Sequence, residues 1–90
     1  MKRVFKYILE PGDVCIISMP KGSEILTAHA QGDSICIWAL VDAAETRMEE
    51  RGFHASGTGH NIVSDSLKYI GTAFLYCDTL IFHVFEVLRP

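Results

Sequence analysis

Two glycines bracket a threonine at Gly57-Thr58-Gly59, and a histidine follows at His60. Glycine lets the backbone bend sharply and turn successive N–H groups toward one point, an arrangement that can cradle an anion. A hydroxyl and an imidazole at the same place can then orient what is held. Just upstream stands Arg51, whose guanidinium can grip a phosphate or carboxylate through two parallel hydrogen bonds. His54 lies between the two. Arg51, His54, Thr58, Gly59 and His60 are therefore the candidate ligand-binding residues. A plainer account stays open for each part. The glycines can serve only a loop that needs positive φ, and the charged run around Arg47, Glu49, Glu50 and Arg51 can be a solvated edge strand that discourages edge-to-edge pairing. The glycine pattern lacks a strand–GxGxxG–helix setting, so neither a dinucleotide fold nor a P-loop is indicated.

Catalysis is harder to assemble from these residues. No Ser or Cys stands on a recognisable nucleophile elbow, and no histidine has a carboxylate partner evident from spacing. An enzyme, such as a small hydrolase or phosphodiesterase, would rest on His54 and His60 alone. A metal centre needs three converging ligands, whereas His29, His54, His60 and His83 are scattered, so neither metal nor cofactor is expected. Cys15, Cys36 and Cys77 are widely spaced, with no CxxC pair. They read as buried free thiols, which suits a reducing compartment. His83, between Phe82 and Val84, reads as a hydrogen-bonded core histidine, and Trp38, inside ICIWALVD, as a core aromatic.

The elements that must position these residues follow from the turns. PGD at 11–13, PKG at 20–22, QGDS at 31–34, GTG at 57–59 and CDT at 77–79 punctuate β-branched and aromatic runs about every ten residues, the pattern of an all-β domain. Segments 3–9 and 13–19 flank Glu10-Pro11-Gly12 and predict a hairpin. Segments 24–30 and 35–41 predict a second across 31–34, and 67–76 with 80–88 a third across 77–79. The stretch 42–50 is too short for an independent helix and predicts a loop, with at most one helical turn, entering a strand at about 49–56. In 80–88 both alternating faces are apolar, which marks a central strand or one covered by a partner. The expectation is a single domain over 1–90: a small antiparallel sandwich or barrel-like fold of about seven strands built from sequential hairpins.

Composition bounds the partners. The chain has 90 residues, 49% hydrophobic and 21% charged, with 8 Lys and Arg against 11 Asp and Glu for a net charge of -3. That is too apolar for a disordered segment. It is also too poor in cations for duplex nucleic acid, which asks for many phosphate contacts. No window approaches the roughly 18 apolar residues of a spanning helix, so no membrane association is expected. The opening MKRVFKYILEPGD has no apolar core of a secretory signal, and a cytoplasmic location is expected. A domain this small cannot hide two apolar faces of one strand within itself, which predicts a homo-oligomer.

WALVD at 38–42, GTGH at 57–60, YIGT at 69–72 and FHVFE at 82–86, with the opening hairpin and MPKGSEIL at 19–26, resemble a family of short, uncharacterised proteins encoded by bacteriophages. The resemblance spans nearly the whole chain. Its E-x-R-x-F pattern stands here as Glu49-Glu50-Arg51-Gly52-Phe53, and Asn61 stands where members often carry proline after the GTGH histidine. The resemblance implies an accessory viral protein made in the host bacterial cytoplasm. Two functions are then open. One is a non-enzymatic, homo-oligomeric module that sequesters a small anionic ligand, such as a cyclic nucleotide or a nucleotide-derived immune signal, in an anti-defence role. The other is a protein–protein interaction module that inhibits a host enzyme or forms a minor virion component.

Overall fold

A computed structural model describes residues 1–88. In chain order the strands are β1 (Lys2–Leu9), β2 (Gly12–Pro20), β3 (Glu24–Gln31), β4 (Ser34–Asp42), β5 (Met48–Gly57), β6 (Leu67–Leu75) and β7 (Leu80–Val87). They form two antiparallel sheets, ordered β1-β4-β3 and β2-β5-β7-β6, in an all-β sandwich. No helix among the described residues is long and apolar enough to cross a membrane.

Alternation along the strands builds the core. Ile35 and Ile37 of β4 and Leu9 of β1 point inward from one sheet. Phe53 and Ala55 of β5 and Val84 of β7 meet them from the other, with Met19, Ala28, Ala73 and Leu75 closing the layer. The molecule measures 39 × 29 × 16 Å, so one such layer is all that its thickness holds. At one place the sheets nearly touch. A Cβ built on Gly71 of β6 would run into the carbonyl oxygen of Ala28 in β3 and lie 3.1 Å from its nitrogen. Only a residue without a side chain lets these two edge strands approach so closely.

Two of the three expected hairpins form. β3 and β4 pair through Gln31↔Ser34, and β6 and β7 pair through Leu75↔Leu80. The first does not: β1 pairs with β4, and β2 pairs with β5. Glu10 and Pro11 instead carry the chain from one sheet to the other, entering Gly12 at φ +151°, a backbone value nearly closed to other residues. A turn between sheets uses the same residue types as a turn within one, so PGD marks the bend but not its destination. Residues 43–47 contain a turn and no helix; Asp42 accepts a 3.0 Å hydrogen bond from the Ala44 N–H and braces it.

The face of each side chain also departs from expectation in places. Trp38 pairs in register with Lys6 and Thr27 on the outward face of the three-stranded sheet and is only half-buried, because Ile35, Ile37 and Ala39 occupy the inward positions. All three cysteines are free, but only Cys36 is buried; Cys15 is half-buried and Cys77 is exposed in the β6–β7 loop. In that loop Tyr76, Cys77 and Asp78 take φ of 50°, 54° and 66°.

β7 lies between β5 and β6, as two apolar faces require of a central strand. Since β5 and β6 each run antiparallel to β7, they are parallel to each other. The chain leaving β5 must therefore return along the sheet before β6 can begin, and residues 58–66 make that return. Ile62 lines a hollow with His83 and Phe85, while Val63 and Ser66 line a groove with Val87. These β7 residues alternate with the buried Val84, so the connector crosses the face of the four-stranded sheet turned away from the sandwich core.

Candidate functional site

β5 carries or adjoins every candidate residue, and its alternation sorts them. Glu49, Arg51, Phe53 and Ala55 share the inward face. Beyond the covered core, Arg51 turns to its neighbours: Nε donates to Glu86 Oε2 at 2.6 Å, and Nη1 donates to the Ser23 carbonyl at 2.9 Å and to Glu49 Oε1 at 3.0 Å. The side chains of Arg51 and Glu86 are 20% and 10% exposed. The bond to Glu86 pushes the guanidinium's already high pKa further up, against the opposing effect of burial. Glu49 is held below its ordinary value first by the Gly22 N–H, which donates to Oε1 at 3.0 Å, and then by Arg51. Arg51 thus ties β5 to β7 and to the β2–β3 turn. Glu86 and Ser23 are the partners that sequence reasoning missed. Glu49, two residues before Arg51, shares its strand face.

Arg51 also lines a groove of about 760 Å³ with Val14, Ile16, Gly52, Val63 and Leu88 among its walls and Glu50, Ser64, Ser66 and Glu86 at its polar parts. The glycine loop lies elsewhere. Along β5, Gly57 is about 20 Å from Arg51 at roughly 3.3 Å per residue. Thr58, Gly59 and His60 line a separate hollow of about 260 Å³ with Ser56, Ile62, His83 and Phe85. Arg51 and the loop therefore form no common wall.

The loop is a tight turn. The His60 N–H donates to the Gly57 carbonyl at 3.0 Å, and Gly59 at its third position takes φ +87°, the mark of a type II turn. The imidazole of His60 folds back over Gly57, where a Cβ would meet Nδ1 at 3.0 Å. Thr58 Oγ1 is hydrogen-bonded to His83 Nε2 at 2.7 Å. His83 Nδ1 is 3.3 Å from Thr72 Oγ1, and that hydroxyl is 2.5 Å from the Tyr69 hydroxyl. This chain of side chains links the loop to β6 and β7. It leaves His83 half-buried with both ring nitrogens partnered, rather than in the core.

His54 stands apart from both. Its face is the outward one, yet it is only 4% exposed. Nδ1 is 3.0 Å from the Gly12 carbonyl. A carbonyl only accepts, so Nδ1 carries a proton and donates it. Nε2 is buried, and among the described residues it has no partner. A buried lone pair without a donor forfeits about 1–3 kcal/mol of hydration.

The whole chain, residues 1–90, matches a family described as a domain of unknown function, DUF7352. The chain belongs to that family. Neither a curated protein nor a solved structure matches it. In this DUF7352 domain the glycines of the YIGT and GTGH motifs have clear local causes: Gly71 admits the Ala28 backbone, and Gly59 holds the turn. Among the described residues of the domain, no three His, Cys, Asp or Glu side chains converge as metal ligands.

Proposed function

We propose that this chain is a non-catalytic binding module that holds a small ligand in the groove beside Arg51. Its motifs suggest the setting, a bacteriophage accessory protein that works as a homo-oligomer in the bacterial cytoplasm and sequesters its ligand. The observation that carries the reading is the groove. Its 760 Å³ falls within the range of about 300–1,000 Å³ typical of small-molecule sites. Aliphatic walls with a few polar groups are the usual make-up of such sites. Arg51 is immobilised by three hydrogen bonds, so it meets a ligand without first losing side-chain freedom.

An anionic ligand such as a cyclic nucleotide meets that guanidinium on particular terms. Two carboxylates already offset its charge, so the apolar walls, which would contact a base, supply most of the affinity. Calorimetric titration of cyclic and linear nucleotides beside the matching neutral nucleosides tests this. The expected result is binding in which loss of the phosphate changes affinity less than about tenfold, the equivalent of about 1.4 kcal/mol. No binding across the panel refutes the reading, and a dependence on phosphate much above tenfold refutes the role given to the walls.

A specific observation also favours the interaction-module reading. Val4 and Ile8 on the outward face of β1 are 55% and 56% exposed and adjoin the half-buried Trp38 and Leu40. This face suits a second copy of the chain or another protein.

A further inference from the structure

The unpartnered nitrogen of His54 and the bare floor of the groove lie on the same face of β5, two residues apart. Gly52 is that floor. A Cβ built there would sit 3.4 Å from Val14 Cγ1, 3.5 Å from Ile16 Cδ1 and 3.5 Å from Val87 Cβ. The space above Gly52 is thus a slot one carbon thick between aliphatic walls, the shape that admits the edge of a flat ring. Farther along the same face, next to but not among the residues that line the groove, comes the His54 ring. Its Nδ1 is committed to Gly12, and its Nε2 is buried with no donor among the described residues. The connector above is tied down at both ends, by His60 N–H to Gly57 and by Leu88 N–H to the Ser66 carbonyl at 2.9 Å. Among the described residues no backbone hydrogen bond holds 61–63 between those ends. Residues 61–63 are thus the stretch of the connector without backbone ties to the sheet.

We infer that His54 Nε2 is the hydrogen-bond acceptor of a ligand subsite. It receives the N–H of a flat heteroaromatic ring whose edge lies in the slot over Gly52, in the groove that Val63 also lines. This rests on the groove being a ligand site and adds the class of ligand and the atom that selects it. In the neutral ring a proton on Nδ1 leaves a lone pair at Nε2, so the donor comes from the ligand. An aliphatic ligand fills the slot less well, and a ring with only acceptors leaves Nε2 unsatisfied.

Indole and 1-methylindole make the test, since they differ in the one donor. Both are titrated into the full chain, with the groove methyls of Val14 and Val87 and the His54 ring nitrogens followed by NMR. Indole is expected to shift the Val14 and Val87 methyls and the Nε2 resonance together, and to bind about 3- to 10-fold more tightly than 1-methylindole, the worth of one hydrogen bond. His54→Asn keeps a donor for the Gly12 carbonyl and deletes the Nε2 acceptor, so the two probes should bind it alike. Gly52→Ala fits at ordinary contact distance, folds as the wild type does, and should abolish the slot and weaken both probes. Equal affinities in the wild type, an unmoved Nε2 resonance, or discrimination that persists in His54→Asn overturns the inference. Methyl shifts without a change at Nε2 leave the groove standing as a site and remove only His54. No methyl shift from either probe overturns both. If His54→Asn fails to fold, the Nε2 resonance of the wild type decides alone.

Discussion

Arg51 holds three pieces of the chain at once, and Glu86 is its closest partner. Glu86→Ala leaves the guanidinium with one carboxylate in a site mostly closed to water; removing one member of a buried ion pair costs about 3 kcal/mol. Chemical denaturation of the variant should show a loss of that order, and a loss below about 1 kcal/mol would mean that the pair is a surface ornament. The carboxylates also set a response to acid. Glu49 is held low by the Gly22 N–H, Glu45 by its bond to Arg47, and Asp42 by the Ala44 N–H. Each has a folded pKa below its unfolded one, so its contribution is complete above the ordinary values of 4.5 and 3.8 and is lost as pH falls through the folded values. Thermal melts should therefore decline between about pH 5 and pH 3; a midpoint flat across that window contradicts the assignment. At this scale the sequence was informative about residue type and silent about partnership. Arg51 stood out for its charge beside a glycine-rich stretch. Its principal partner is 35 residues away, and only strand pairing brings Glu86 to it.

Among the elements, β6 is the one with least room to change. Gly71→Ala places a methyl against the Ala28 backbone, which cannot swing aside as a side chain would, and either β6 or β3 must retreat. Overpacking of this kind costs about 1–3 kcal/mol. Calorimetry should show a clear drop in melting temperature, whereas Gly52→Ala, with its neighbours at 3.4–3.5 Å, should melt near the wild type. Equal melting of the two variants would contradict the close approach. Period-two alternation and regular turns made the seven strands legible, and both faces of 80–88 correctly marked a central strand. What they could not convey is which strand lies beside which. The PGD bend looks the same in a hairpin and in a passage between sheets, and the charged stretch 47–51 reads as an exposed edge although β5 lies between β2 and β7. The separation of Arg51 from GTGH has a similar origin: six steps are close in sequence but far along an extended strand.

For the molecule as a whole, the outward face of β1 and β4 sets the expectation. Val4, Ile8, Trp38 and Leu40 make this face largely apolar, with Lys6 between Val4 and Ile8 turned to Gln31. The domain is 16 Å thin, and the core cannot fold over to cover that face. A second copy laid on it would bury it. Sedimentation of the purified chain should give at least twice its mass of 10.0 kDa at micromolar concentration, and Ile8→Glu should return it to a monomer with its melting behaviour retained. A monomeric wild type contradicts this assembly. The apolar strand faces gave the expectation, but they pointed to 80–88. The structure sets that segment between β5 and β6 and leaves only its ends, Leu80 and Leu88, about half exposed, while β1 presents Val4 and Ile8.

The place of β7 has a consequence for how the molecule comes into being. During synthesis β5 and β6 emerge first and cannot pair with each other, because the strand that belongs between them has not yet left the ribosome. The four-stranded sheet closes only when β7 slots into that gap, after the connector has already spanned it. Much of the structure thus depends on contacts between distant parts of the chain, a topology that folds slowly for its size. Until the gap closes, the unpaired flank of β5 is open to any extended segment nearby. The nascent chain is most vulnerable to mispairing in the interval between making its sixth strand and its seventh.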